Sequence, residues 1–238
     1  MLDALFRKLE RFQPLSDDHK HLLENAVSRV FDVEKRQDII TQGDRPDEVH
    51  LLIEGWACRY KLLTNGKRHI MAYLMPGDLF DVHVTLLKRM DHSITTLTPV
   101  KLAAIPAERI DVIFREHALL SRALYWSTLV DEATLREWLV NTGSRSSEQR
   151  LAHLFCELMV RSRAAGIIEN SSMTLPLTQD DIGDAMGLTV VHTNRVLQKL
   201  RREGLIELKG KRLIIHDWER LTEFSEFDPT YLHLEHHY

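Results

Sequence analysis

The stretch from Thr178 to Glu203, TQDDIGDAMGLTVVHTNRVLQKLRRE, leaves few folds open. Thr178 precedes Gln179, Asp180 and Asp181, so a hydroxyl can accept from free backbone N–H groups while carboxylates sit at the positive end of a new helix. Ile182, Ala185 and Met186 give that helix one apolar side, and Gly187 tolerates the left-handed backbone needed where it ends. Leu188 fills the corner and Thr189 caps a second helix, in which Thr193, Val196, Leu197 and Leu200 fall at i, i+3, i+4 and i+7. Two short helices joined by a tight turn are expected.

The other side of the second helix carries His192, Arg195, Lys199 and Arg202, with Val191, Asn194 and Gln198 beside them. Arg195 can offer two parallel hydrogen bonds to a guanine edge, Asn194 or Gln198 can do so to adenine, and Val190 or Val191 can touch a thymine methyl. Residues at the start of such a helix lie deepest in the major groove. A basic stripe alone is more often a solvated face. Here the caps at Thr178 and Thr189, the glycine turn and the buried positions all agree on a DNA-reading element. Gly204 then ends the helix, and Leu205–Leu208 and Leu213–Ile215 read as two short strands joined through Lys209, Gly210 and Lys211. From Arg195 to Arg212 there are seven basic residues against two acids, on a chain of formal charge -4. Positive charge is concentrated where phosphates would lie.

A length of 238 residues suggests about two domains, and 44% hydrophobic content supports a real core. No apolar run approaches the ~18 residues of a membrane span, and the amphipathic start MLDALFRKLERF lacks a signal peptide's apolar centre, so a cytoplasmic protein is expected. Cys58 and Cys156 have no metal-binding spacing, and the histidines are scattered; no metal site is expected. Nor is there a phosphate loop, nucleophile elbow or metal motif, so no catalytic residues are assigned.

Residues 1–30 hold two amphipathic helical patterns separated by Pro14, with Ser16 as a cap. Residues 31–105 change to short apolar runs with turn signals, among them VHLLIEG, WACRYKLL and RHIMAYLMPGD, and TNGK places Asn65 and Gly66 at a hairpin tip. Such spacing implies an antiparallel barrel or roll. A long helix is expected from 118 to 141. One of its rows, Leu119, Ala123, Trp126, Val130, Ala133 and Val140, is assigned to pairing with a second copy; the other, Leu120, Leu124, Leu135 and Trp138, to packing on the roll. Asn141 to Ser144 is the linker candidate, and a helix with Leu151, Leu154, Phe155 and Leu158 on one side backs the reader. The chain thus divides into a sensor at 1–117, a dimerisation helix at 118–141 and a winged helix-turn-helix at 142–238, an α+β architecture.

This order, with PGDLFDVHVTLL and DHSITTLT in the roll and LTQDDIGDAMGLTVVHTNRVLQKLRREGLI in the reader, resembles the Crp/Fnr family, that of the catabolite activator protein and the fumarate and nitrate reduction regulator. The resemblance runs from about Asp17 to Asp217. It implies a cyclic-nucleotide-binding-like β-roll and a homodimer on double-stranded DNA, with RNA polymerase as partner and switching by a signal at the roll. It matches Arg195 to a base-reading arginine, and it places Val190 and Val191 where other members carry polar readers. The DNA-contacting set is then Thr178, Thr189, Val190, Val191, His192, Asn194, Arg195, Gln198, Lys199, Arg202, Lys209 and Lys211.

The effector pocket implied by the resemblance falls at Gly77, Asp78, Val82, His83, His92 and Ser93. Cyclic-nucleotide-binding members hold ribose with a glutamate and phosphate with an arginine; the matching positions here are Val82 and His92, with Ser93 retained, which argues against cyclic AMP. No cysteine precedes Cys58, which argues against the N-terminal iron-sulfur cluster. The alternative is a haem- or small-ligand-binding sensor acting through protein partners, with His83 or His92 as an axial ligand.

Overall fold

The structure, a computed structural model, describes residues 1–80, 82–87, 89–168 and 172–234. Two compact units divide the chain, one of residues 1–61 and 72–132, the other of 62–71 and 133–234.

The first unit opens with helices α1 (Asp3–Leu9) and α2 (Asp17–Ala26), the latter capped by Ser16, whose Oγ accepts from the His19 backbone N–H at 3.3 Å. The roll follows as two antiparallel four-stranded sheets. One pairs β1 (Arg29–Val33), β8 (Val100–Pro106), β3 (Glu48–Glu54) and β6 (Leu79–Phe80); the other pairs β2 (Asp38–Ile40), β7 (Ser93–Thr96), β4 (Ala57–Leu62) and β5 (Arg68–Leu74). Strand β1 begins at Arg29, inside the span assigned to helix, because residues 29–33 pair in register with 100–104 of β8. Val49 to Leu52 are all buried, without the alternation of a one-sided strand, since α4 (Ala107–Glu116) packs on β3 and β8. A four-residue helix, α3 (Val84–Leu87), precedes β7.

Leu2, Leu5, Phe6 and Leu9 of α1 share one core with Leu51, Leu52, Phe80 and Leu102 of the roll and with Leu120, Ala123 and Leu124. The last three belong to α5 (Ala118–Ser144), whose 27 residues make a rod of about 40 Å. Helix α5 runs three residues beyond the expected end. Asn141 to Ser144, read as a linker, are helical: Thr142 Oγ1 donates back to the Trp138 carbonyl at 2.8 Å, and Asn141 Nδ2 donates to the Arg150 carbonyl at 3.3 Å. Only Arg145 and Ser146 separate α5 from α6 (Ser147–Ala164).

The two rows assigned to α5 are redistributed. Ala123, Val130 and Ala133 of the expected dimer row are buried within the protomer, and Leu119 and Trp126 are half-buried. Leu135, assigned to the roll, is 47% exposed, and the apolar side chains left in solvent are Tyr125, Leu129, Leu139 and Val140. The physical reason is that the buried arc of α5 spans both rows, from Leu120 through Ala123 and Val130 to Trp138, so the free stripe lies on its far side.

In the second unit, α6 is capped by Ser146 and Gln149 and buries Leu151, Leu154, Phe155 and Leu158, as its spacing requires. Then come β9 (Ser172–Thr174), α7 (Gln179–Met186), α8 (Val190–Arg202), β10 (Ile206–Lys209), β11 (Arg212–Ile215), α9 (Trp218–Ser225) and a 3-10 turn (Pro229–Leu232). Strands β10, β11 and β9 form one antiparallel sheet in that order. A charge lies at the centre of this unit: Glu157, fully buried, accepts from Trp138 Nε1 and the Tyr231 hydroxyl, each at 2.9 Å, and pairs with Arg161 at 3.2 Å. Those bonds satisfy a carboxylate that would otherwise be costly to bury. Among the described residues, no helix is long and apolar enough to cross a membrane.

Candidate nucleic-acid interface

Helix α7 starts in a reciprocal cap. Thr178 Oγ1 accepts from the Asp181 N–H at 3.1 Å, while Asp181 Oδ2 accepts from the Thr178 N–H at 3.0 Å and its hydroxyl at 2.7 Å. Asp181 is 1% exposed, and its second oxygen receives Arg68 Nη2 at 2.7 Å; the Nε of the same guanidinium donates to Asp184 at 2.7 Å. Arg68 lies in the segment 62–71 that clusters with the second unit. No sequence pattern signals this pairing, because the partners lie more than a hundred positions apart.

The turn between the helices uses two glycines. Gly187, expected as the left-handed residue, has φ +67°. Gly183, which the sequence reading did not single out, is where the helices touch: a Cβ there would lie 2.7 Å from the Leu188 carbonyl oxygen and 3.3 Å from Thr193 Oγ1. Thr189 caps α8 by accepting from the His192 N–H at 3.2 Å, and Thr193, Val196, Leu197 and Leu200 are buried as their spacing predicts.

The outer side of α8 is sorted by its neighbours. Val191 (81% exposed), Arg195, Gln198 and Arg202 face solvent, as do Thr178, Thr189 and Val190. Arg195 makes no hydrogen bond or ion pair among the described residues, so its guanidinium is free for a base edge. His192 and Lys199 turn toward α6. His192 Nε2 lies 3.1 Å from Ser147 Oγ, and Lys199 Nζ pairs with Glu148 at 3.1 Å. Burial works against the Glu148 charge, but its own backbone N–H, Lys199 and Ser147 outweigh it and hold the carboxyl below the usual range. On the opposite flank Asn194, half-buried, donates to Gln179 Oε1 of α7.

The wing is the hairpin of β10 and β11, turned at Gly210 with φ +61°, and it leaves Lys209 and Lys211 exposed. Two other basic residues serve the fold instead: Arg201 donates to the Leu208 carbonyl, and Arg212 donates to Ser172 Oγ at 3.0 Å, tying β11 to β9.

The residues assigned to an effector do not all face one space. Gly77 (φ +91°) packs beneath α1, where a Cβ would come within 2.8 Å of the Ala4 backbone. Asp78 accepts from the Met75 N–H at 2.8 Å and from Lys8 Nζ at 3.1 Å. Val82 and His83 are half-buried, and Ser93 is buried and accepts from the Gln42 N–H at 2.9 Å. His92 is buried, its Nδ1 is held by Asp91 at 2.7 Å, and its Nε2 has no partner among the described residues. The rings of His83 and His92 are 6.0 Å apart, and burial above all holds both below the usual imidazole range.

Residues 149–224 match the Crp-like helix-turn-helix domain, and residues 30–117 match the cyclic nucleotide-binding domain. Over 191 residues the chain is 28% identical to the transcriptional activator protein FnrL of Cereibacter sphaeroides, an alignment covering 79% of this chain and 76% of that one. It is 27% identical over 180 residues to the nitrogen fixation regulation protein FixK of Rhizobium meliloti, covering 75% and 78%. The solved structure of FixK2 from Bradyrhizobium japonicum superposes with a TM-score of 0.74 at 22% identity, covering 82% of this chain and 96% of that one. At that identity the superposition shows the fold.

Proposed function

From the premise that this chain belongs to the Crp/Fnr family of DNA-binding transcription regulators, we propose that it acts as a cytoplasmic homodimer on a pseudo-palindromic site and engages RNA polymerase there. The observation that carries the reading is the outer face of α8, where Val191, Arg195, Gln198 and Arg202 stand in solvent above a capped and fully packed back. Two such helices related by a two-fold axis read half-sites about 34 Å apart, one turn of the duplex. The solvent-exposed stripe of Tyr125, Leu129, Leu139 and Val140 supports pairing along α5. The input is placed at the roll, around Val82, His83, His92 and Ser93.

Titration of the purified protein against promoter fragments and random duplex, at several salt concentrations, tests the reading. A preference for particular fragments is expected, with Arg195→Ala lowering specific affinity by about tenfold or more and leaving random-duplex affinity nearly intact. Equal affinity for every duplex would overturn it.

A further inference from the structure

Three primary amides form a ladder across the two helices of the reader. Gln198 Nε2 donates to Asn194 Oδ1 at 2.8 Å, and Asn194 Nδ2 donates to Gln179 Oε1 at 3.2 Å. Gln198 and Asn194 are one turn apart on α8; Gln179 is the first residue of α7. We propose that Gln179 is a positioning residue for base reading, which fixes Asn194 before DNA arrives and so sets an adenine at one position of each half-site. The proposal rests on the reading of the chain as a sequence-specific DNA-binding protein.

A carboxamide has two N–H donors and an oxygen with two lone pairs. The ladder uses one donor and one lone pair of Asn194, leaving one N–H and one lone pair. That remainder is what adenine requires, a donor for N7 and an acceptor for the N6 amino group. Guanine offers acceptors at both N7 and O6, so the Asn194 oxygen would face an oxygen. Rotating the Asn194 amide by half a turn does not rescue guanine, because it sets oxygen against Gln179 Oε1 and nitrogen against Gln198 Nε2. In this arrangement each amide donates toward α7, and Gln179 is the acceptor that holds the Asn194 N–H there. Holding the side chain in advance also removes the ordering cost that a free asparagine meets on binding.

The test is selection of bound sequences by the full-length protein from a randomised duplex library, followed by affinities for adenine and guanine at the selected position. Wild type is expected to select adenine at one position per half-site, and Asn194→Ala to lose that preference while keeping the others. Gln179→Ala should reduce the adenine-to-guanine ratio about threefold to tenfold, with the other positions and the thermal midpoint unchanged. Gln179→Glu keeps an acceptor facing Asn194 Nδ2, so the ratio returns while affinity for all duplexes falls alike from the added negative charge. The proposal is overturned if Gln179→Ala keeps the full ratio, if Gln179→Glu does not restore it, if selectivity at all positions drops together with the midpoint, or if Asn194→Ala selects the same sequence as wild type. A wild type that selects no sequence at all sinks the regulator reading, which is a different outcome.

Discussion

His153 shows how strongly one residue can carry the pH dependence of a packed unit. Its ring is fully buried in α6, at 5.0 Å from Phe227 and 5.9 Å from Tyr231. Burial, then the nearby Arg145 charge, push its pKa down to about 3. Glu137 comes to 3.2 Å of Nε2 without a hydrogen-bonding geometry, and its carboxylate is already paired with Arg145 at 2.7 Å, so it does not hold a proton on the ring. The folded pKa is therefore below the unfolded value of 6.5, and the unfolded chain takes up the proton first as pH falls. Stability is full above about pH 6.5 and declines below it, by up to about 1.4 kcal/mol per pH unit from this residue. His153→Phe should flatten that decline in urea titrations between pH 6 and pH 4; an unchanged slope would assign it to other groups.

Between elements, the reader depends on how closely α7 and α8 approach. Gly183 is helical and needs no left-handed backbone; its requirement is space, since the Leu188 carbonyl oxygen occupies the volume a methyl group would take. Backbone does not yield as a flexible side chain does, so Gly183→Ala is expected to cost about 1–3 kcal/mol and to weaken binding to specific DNA. Gly187→Ala meets no neighbouring atom and is strained through its φ of +67° instead. Thermal melts of the two variants with DNA titrations separate these causes: Gly183→Ala alone should displace α8 and lose sequence preference. Full preference in Gly183→Ala would contradict a close approach at this point. Arg68 enters the same account, because it supplies the positive partner for the 1%-exposed Asp181 at the start of α7.

For the whole molecule, the proposed homodimer assigns the exposed α5 stripe to assembly. Leu129 is 41% exposed and Leu139 67%, and a carboxylate at either place would be desolvated in a helix pair. The double substitution Leu129→Asp with Leu139→Asp should shift sedimentation from dimer to monomer and abolish the advantage of a full site over a half-site. Ala123→Asp should instead destabilise the protomer itself, because Ala123 lies in the roll core. A dimer that survives the double substitution would move the interface elsewhere.

What the residues alone determined is whatever depends on near neighbours in the chain. The caps at Thr178 and Thr189, the turn at Gly187, the buried positions of α8 and the wing hairpin follow from spacing over a turn or two, where backbone geometry leaves one arrangement. Tertiary structure decided the rest. The helical course of Asn141–Ser144 is held by the Asn141 bond to the Arg150 carbonyl of α6, and the choice of exposed row on α5 depends on which side the core covers. The partners of Asp181, Lys199 and Asn194 come from β5, α6 and α7. Hydrogen bonds and ion pairs are short-ranged in space and indifferent to sequence separation, so only the folded chain reveals which charges are spent on its own structure and which remain for DNA.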